Sequence, residues 1–468
     1  MRSMLRFLPV GLALLCVQLD FFSLNLAVPT IATSLDLPVT DLQWLTSAYL
    51  LGIGAITVPS GRLGDILGRK RVVIAGLVIF AVTSAICGAS TELLPLVVSR
   101  AIQGVGAALI LPNAFALVTN QTSDKERPVV IGTMIGFSGI GTAIGPVVGG
   151  LLAATVGWPW VFWINVPVAV AAIIGALGLR ESRNDALGRN LGGLDWWGIA
   201  TVVLGLTLAS LGIDNVNAYG WASPLSSGFM VAGAAILAAF ALIELRVAKN
   251  PLVHPELVRN RPFVALLVVG TIGNIGANVF LLMATFELQN VRGFTPAVTG
   301  LLFVSASVGV ALSGPIGGWA CARWPAPRVL AVANVVGAAS LVLLALSGWL
   351  PLYLVAMFVS GVTCGMAYSV AQIGVQSAVP PQQAGEATSF LLMPVIALGG
   401  LSVVIASGVV EAIGNGTPTA GGIDAVLVGA AAAMVVSGVS LLFAERAGAL
   451  GSPGTPASSG PAGANMAV

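Results

Sequence analysis

Fourteen apolar runs, each about as long as a bilayer is thick when wound into a helix, leave this chain few ways to fold. They lie near residues 7–29, 43–61, 72–90, 93–118, 129–153, 160–179, 196–213, 228–246, 263–288, 297–319, 328–348, 351–371, 385–411 and 423–444. A helix of roughly twenty apolar residues crosses a hydrocarbon core of ~30 Å. Only 8% of the residues are charged, 57% are hydrophobic, and the mean hydropathy is +0.98. A soluble domain is roughly half apolar and a quarter charged. A β-barrel would show short alternating segments instead, and the sequence has none. The expected fold class is an all-α polytopic membrane protein with 14 transmembrane helices. The formal net charge of +2 is spread over the connections, so nothing points to nucleic acid.

Charge then orients the helices. With the N-terminus inside, every Lys and Arg but two falls in a segment on the inner side. Arg292 lies outside, and Arg100 lies within the fourth run. Basic residues mark cytoplasmic connections, and one missed helix would scramble the asymmetry. The chain is expected to be a multi-pass protein of the cytoplasmic membrane with both termini cytoplasmic. Arg2 and Arg6 before the first run mimic a signal peptide, but that run is long and holds Asp20. It reads as an uncleaved first helix. The longest charged connections, 180–195 and 247–262, bracket two plain helices, with six runs before them and six after. The expected organisation is therefore a six-helix bundle over 1–180, cytoplasmic linkers with two inserted helices over 181–261, a second six-helix bundle over 262–446, and a disordered tail over 447–468. Gly318 to Arg328 repeats the spacing of Gly61 to Arg71 without its aspartate, a faint internal echo. Duplicated bundles around a central site are a common transporter plan.

Three places hold charge where an apolar chain has little. Gly61-Arg62-Leu63-Gly64-Asp65-Ile66-Leu67-Gly68-Arg69-Lys70-Arg71 packs four cations and a carboxylate among three glycines. It is expected to form a gating loop between the second and third helices. Asp65 should meet the end of a neighbouring helix, and Arg62 and Arg69 should engage carboxylates. Asp20 is read as the only acid deep in a run, and Arg100 as the one buried cation. At ~1.5 Å per residue both sit about a third of the way in from the outer side. An ion pair that merely fixes packing is the plainer reading. In hydrocarbon, however, such a pair is often no better than apolar replacements, and an ionisable group at that depth is a functional candidate. Burial favours the neutral form of a carboxyl group and a nearby guanidinium favours the charged one. A cavity opening alternately to each side would thus change the proton affinity of Asp20, with Arg100 as modulator.

The run from Gly61 to Arg71 closely resembles the signature between helices 2 and 3 of the major facilitator superfamily. Leu19-Asp20 with Asn25-Leu26-Ala27-Val28-Pro29 resembles the first-helix motif of its fourteen-helix drug:proton antiporter branch. Arg100-Ala101-Ile102-Gln103-Gly104 resembles that branch's fourth-helix motif. Gly141, Gly145, Pro146, Gly149 and Gly150 resemble the antiporter motif of the fifth helix, and Trp158 to Pro167 the approach to the sixth. The resemblance implies two six-helix bundles plus two inserted helices. It also implies proton-coupled export of drugs, dyes or antibiotics by alternating access, with proton coupling at Asp20 and Arg100. The Gly61 stretch would then act as a latch, and the glycines of the fifth run would seal the outer side. Some members carry a second deep acid in the C-terminal half. The tenth run here has none, so a single-proton carrier is expected, handling neutral, zwitterionic or monocationic lipophilic substrates.

Polar residues within other runs sketch a substrate cavity, with Gln18, Asn25, Gln103, Asn274 and Asn278 as its candidates. Each alone is better explained by a hydrogen bond between helices. Glu287, Glu386 and Glu411 fall near run ends, where solvation is expected, and His254 lies in a connection. Cys16, Cys87, Cys321 and Cys364 are scattered through apolar runs and read as small hydrophobes, with no disulfide framework or metal site. No cofactor is expected, because the proton gradient supplies the energy. The expected partners are a lipophilic small molecule, protons and the lipid bilayer, and the chain is expected to act as a monomer. The rival reading is a proton-coupled importer of a small polar metabolite. An enzyme would need clustered catalytic groups, and a channel would need charged rings or a carbonyl filter.

Overall fold

Apolar runs in lipid must satisfy their backbone groups internally, which selects helices, and helices occupy all fourteen runs. The computed structural model describes residues 6–37, 41–183, 195–220, 223–246, 255–414 and 418–447. The expected tail beyond 447, His254 and most of the two long connections lie outside the described residues. The helices are α1 (Leu8–Leu35), α2 (Gln43–Leu67), α3 (Arg69–Ala89), α4 (Leu93–Thr119), α5 (Arg127–Thr155), α6 (Pro159–Trp163), α7 (Asn165–Leu177), α8 (Trp196–Tyr219) and α9 (Pro224–Arg246). There follow α10 (Pro255–Arg259), α11 (Arg261–Phe286), α12 (Pro296–Leu302), α13 (Val304–Cys321), α14 (Ala326–Leu346), α15 (Leu350–Ser377), α16 (Ala384–Ile413) and α17 (Ala420–Arg446). Among the described residues, 11 spans are long and apolar enough to cross a membrane, and α1, α8 and α9 carry shorter apolar stretches.

Two expectations about local structure need correction. Neither the sixth nor the tenth run is one helix: the tenth breaks at Phe303 between α12 and α13, and the sixth at Ile164 between α6 and α7. Pro167 has no N–H to offer the carbonyl of Trp163, which interrupts the ladder there. Nor is Gly61 to Arg71 a loop. Helix α2 continues through Leu67, and Gly68 alone, at φ 106°, separates it from α3. Only a residue without a Cβ turns so tightly at that φ. Gly61 and Gly64 serve close packing instead. A Cβ on Gly61 would strike Ser389 and Gly385 of α16, and one on Gly64 would strike Asn113 of α4.

In the first half α1 packs on α5 and α7, and α4 packs between α2 and α3. In the second half α15 packs on α11, α13 and α14, while α17 packs on α14 and α11. Two seams join the halves, α5 against α13 and α2 against α16. Glycines make the first seam tight: Gly132 faces Gly314 and Gly318, and a Cβ on Gly136 would lie 3.0 Å from Pro315. Helices α8 and α9 form a hairpin, with α8 laid against both α2 and α16. Large side chains such as Phe80, Phe115, Phe280 and Met434 are buried inside the halves, whereas Val82, Leu177, Leu346 and Phe443 are exposed. Small residues at helix contacts and large apolar ones outward are what a bilayer favours.

Candidate functional site

The densest buried polar cluster forms around Asp20, midway along α1, where five helical segments converge. Ser84 comes from α3 and Arg100 and Gln103 from α4. Asn165 is the first residue of α7, turned inward at the Ile164 break. Arg100 Nη1 donates to Asp20 Oδ2 at 2.6 Å. Asn165 Nδ2 and Gln103 Nε2 donate to Oδ1 at 2.7 and 3.1 Å. Arg100 also donates Nε to the Leu45 carbonyl of α2 at 3.0 Å and Nη1 to Gln103 Oε1 at 2.7 Å. Its guanidinium lies 4.1 Å from the Tyr49 ring centroid and 5.9 Å from that of Phe162, a favourable cation–π arrangement. Gln103 Nε2 further donates to Ser84 Oγ at 2.7 Å.

Asp20 is 1% exposed and Arg100 0%. A charge so buried persists only with strong compensation, and three donors on one carboxylate provide it. Compensation is incomplete at the edges, because Arg100 Nη2, Asn165 Oδ1 and the Tyr49 hydroxyl have no hydrogen-bond partner. Buried orphans of this kind are few in folded proteins, and they leave the network room to re-pair. Around it, α5 is held against α1. A Cβ on Gly141 would lie 2.6 Å from the Leu15 carbonyl, one on Gly145 2.8 Å from Phe22, and one on Gly149 would run into the Ser23 backbone. Pro146 and Gly150 are half-buried on the same helix.

The second cluster lies at the face where the arginines gather, here called the basic face. Asp65 Oδ1 accepts from Arg69 Nη2 at 2.6 Å, with both side chains buried. The Arg69 amide donates to the Ser182 carbonyl at 2.8 Å. Asp65 Oδ1 sits 3.4 Å from where a Cβ on Gly385 would stand, at the first turn of α16. Glu181 caps the start of α3 by accepting the Lys70 N–H at 2.9 Å. A neutral contact also bridges the halves here, Thr119 of α4 donating to Gln376 of α15, and within the second half Gln376 and Gln372 both donate to Thr388 of α16. Arg100 is thus not the only buried cation, since Arg62, Arg69 and Arg127 are buried as well. A partner within one turn makes that tolerable for two of them: Asp65 for Arg69, and Asp124 for Arg127 at 2.7 Å. Glu386, expected to be solvated, is buried against the same seam. Glu287 is mostly buried too, paired with Arg292 at 2.9 Å.

The cavity candidates separate. Gln103 is fully buried and spends its amide on Asp20, Arg100 and Ser84, so it belongs to the carboxylate network in this conformation. Gln18 is half-buried and donates to Thr142 of α5 at 3.2 Å. Asn274 is half-buried with Nδ2 unpartnered, and Asn278 lies against Gly399 of α16. The side chain of Asn25 lies outside the described ones. Asn165 and Ser84 are the residues that sequence reasoning missed. The only signal was a lone amide at the end of an aromatic run.

A family model described as Major Facilitator Superfamily matches residues 10–294 and 266–464. The tetracenomycin C resistance and export protein of Streptomyces glaucescens is 33% identical over 338 residues, 71% of this chain and 62% of its own length. The puromycin resistance protein pur8 of Streptomyces alboniger is 32% identical over 333 residues, 70% of this chain and 64% of its own. The multidrug transporter protein MdtP of Bacillus subtilis is 29% identical over 308 residues, 66% and 56% of the two lengths. The chain therefore spans somewhat under two thirds of the length of these curated relatives. In fold it is similar to the human organic anion transporter MFSD10, with a TM-score of 0.67 at 14% identity over 94% of this chain and 99% of that one. It is also similar to the proton:xylose symporter XylE, at 0.64 and 13% over 94% of each.

Proposed function

The chain belongs to the major facilitator superfamily, and from that premise we propose that it exports lipophilic small molecules in exchange for protons, by alternating access. It is a transporter and not an enzyme. The observation that carries the reading is the Asp20–Arg100 contact at 2.6 Å, sealed inside the first half with two amides on the same carboxylate. Relatives named for resistance and export support the outward direction and the substrate class.

In this reading residues 1–180 and 262–446 are the two moving bundles, 181–261 carries the inserted pair, and 447–468 is a cytoplasmic tail. The basic face is cytoplasmic, as the distribution of Lys and Arg supports, and both termini lie on the cytoplasmic side of the membrane. Asp20 carries one proton per cycle and Arg100 sets its affinity. Helix α5 links carrier and gate. Its lower glycines grip α13 of the other half, and Gly141, Gly145 and Gly149 grip α1 on both sides of Asp20. Rocking at the seam therefore shifts the backbone that holds the carboxylate. Gly61, Arg62, Gly64, Asp65, Gly68 and Arg69 latch the basic face against α16 while the opposite face is open. A latch of a few kcal/mol suffices to bias a near-balanced equilibrium. Substrate enters between the halves past Gln18, Asn25, Asn274 and Asn278. The proton gradient is the only energy source, no cofactor takes part, and a monomer suffices.

Inside-out vesicles with an acidic lumen provide the test. A fluorescent lipophilic cation should accumulate, and a protonophore should release it. Accumulation driven only by the opposite gradient would replace this reading with the importer.

A further inference from the structure

On the basic face, the start of α1, the start of α3, the end of α4 and residues 180–183 enclose a solvent-open cavity of about 930 Å³. Among the described residues, four arginines line it, Arg6, Arg71, Arg180 and Arg183, together with one carboxylate, Glu181. That carboxylate is already engaged. It accepts the backbone N–H groups of Lys70 and Ser182, each at 2.9 Å, and lies 3.7 Å from Arg71. Arg6 has a neutral partner, donating to Gln121 Oε1 at 2.5 Å, and Gln121 in turn donates to the Arg180 carbonyl at 2.9 Å. This chain of bonds ties the Arg6 guanidinium, through Gln121, to the backbone of Arg180. Guanidinium groups so placed suit the oxygens of a phosphate.

The flank of the cavity shows where such a phosphate would come from. Val170, Ile174 and Leu177 of α7 are 43%, 65% and 60% exposed and fall at i, i+4 and i+7. They form one apolar stripe that ends where Arg180 begins. We propose that the cavity binds a phosphate-bearing anion, and that this anion is the headgroup of an anionic phospholipid whose acyl chains lie along the α7 stripe. Basic pockets at the ends of transmembrane helices take such headgroups. Pro381, from the turn before α16, lines the same cavity. The lipid therefore touches both halves and holds the basic face closed, so membrane composition tunes the transport cycle. None of this depends on Asp20 or on the direction of transport.

The test uses the purified full chain in an uncharged detergent, read by native mass spectrometry and by thermal melting. Dioleoyl phosphatidylglycerol should remain bound and raise Tm, and dioleoyl phosphatidylcholine should do neither. The double substitution Arg6→Gln/Arg180→Gln should weaken phosphatidylglycerol binding about thirtyfold while leaving the lipid-free Tm unchanged, because both side chains are exposed. Arg323→Gln/Arg446→Gln, on the same face of the other half, should leave binding intact. If millimolar pyrophosphate alone gives the full Tm shift and the lipid adds nothing, the source is a soluble anion and the lipid assignment is wrong. Equal binding of the two lipids, or phosphatidylglycerol binding that survives loss of Arg6 and Arg180, overturns the site itself.

Discussion

The interiors of the two halves solve one packing problem with different chemistry. In the second half, Asn334 of α14 donates to the Val269 carbonyl of α11 at 3.1 Å and to Ser437 of α17 at 3.3 Å. Ser340 of α14 meets Ser360 of α15 at 2.8 Å. Hydroxyls and one amide tie four helices there. In the first half the corresponding ties run through a carboxylate and a guanidinium. Neutral side chains therefore suffice to hold such a bundle together, and the charge around Asp20 is surplus to folding. The basic face repeats the contrast. Gly68 alone joins α2 to α3 beside the buried Asp65–Arg69 pair. Four residues join α13 to α14, where Arg323 stacks 4.2 Å from Trp319 and the half-exposed Arg328 reaches Glu445 at 3.0 Å.

The comparison breaks or sharpens by substitution in matched pairs. Asp20→Asn should reduce pH-gradient-driven export to background while substrate exchange persists in vesicles; driven export at the wild-type rate would end the case for a specialised first half. Arg100→Leu strands a buried carboxylate and should cost ~3–5 kcal/mol of stability, read as a large drop in Tm. Asn334→Leu should cost only about 0.6 kcal/mol and leave proton coupling intact. Adding Asp20→Asn to Arg100→Leu should recover part of the loss, because the two residues act as one unit. Gly149→Val forces α1 from α5 at a cost of ~1–3 kcal/mol and should uncouple transport at normal expression. The same change at Gly429, where a Cβ meets nothing within 4 Å, should pass unnoticed in transport assays. Smallest of all, Arg328→Ala should shift stability by no more than ~1 kcal/mol, as exposed pairs do. Arg69→Ala should slow export several-fold.

The helices were legible because a bilayer permits so few alternatives that hydropathy alone marks them out. Asp20 and Arg100 were legible for a related reason: in a chain with so little charge, two opposite charges at one depth must find each other. The remainder depended on information that spacing does not carry. Gly61 and Gly64 read as turn residues because glycine signals both a turn and a close approach, and only Ser389, Gly385 and Asn113 reveal which applies. Glu386 looked solvated because a helix end in sequence says nothing about which neighbour covers it. Asn165 was invisible as a ligand of Asp20, since it lies 145 residues away along the chain and is aimed there only by the break at Ile164.

In the proposed exchange, the two oxygens of Asp20 would not be equivalent landing places for H⁺. Oδ2 is claimed by a permanent cation, and evicting it would leave that cation without its counter-ion. Oδ1 is held by the amides of Gln103 and Asn165, and Asn165, whose own oxygen has no partner, is the one that could turn to present a carbonyl to an arriving hydrogen. In that proposed scheme the side of the carboxylate that faces Asn165 would be the doorway. The rhythm of exchange would then be governed by how readily a carboxamide turns over, more than by how often the ion pair parts.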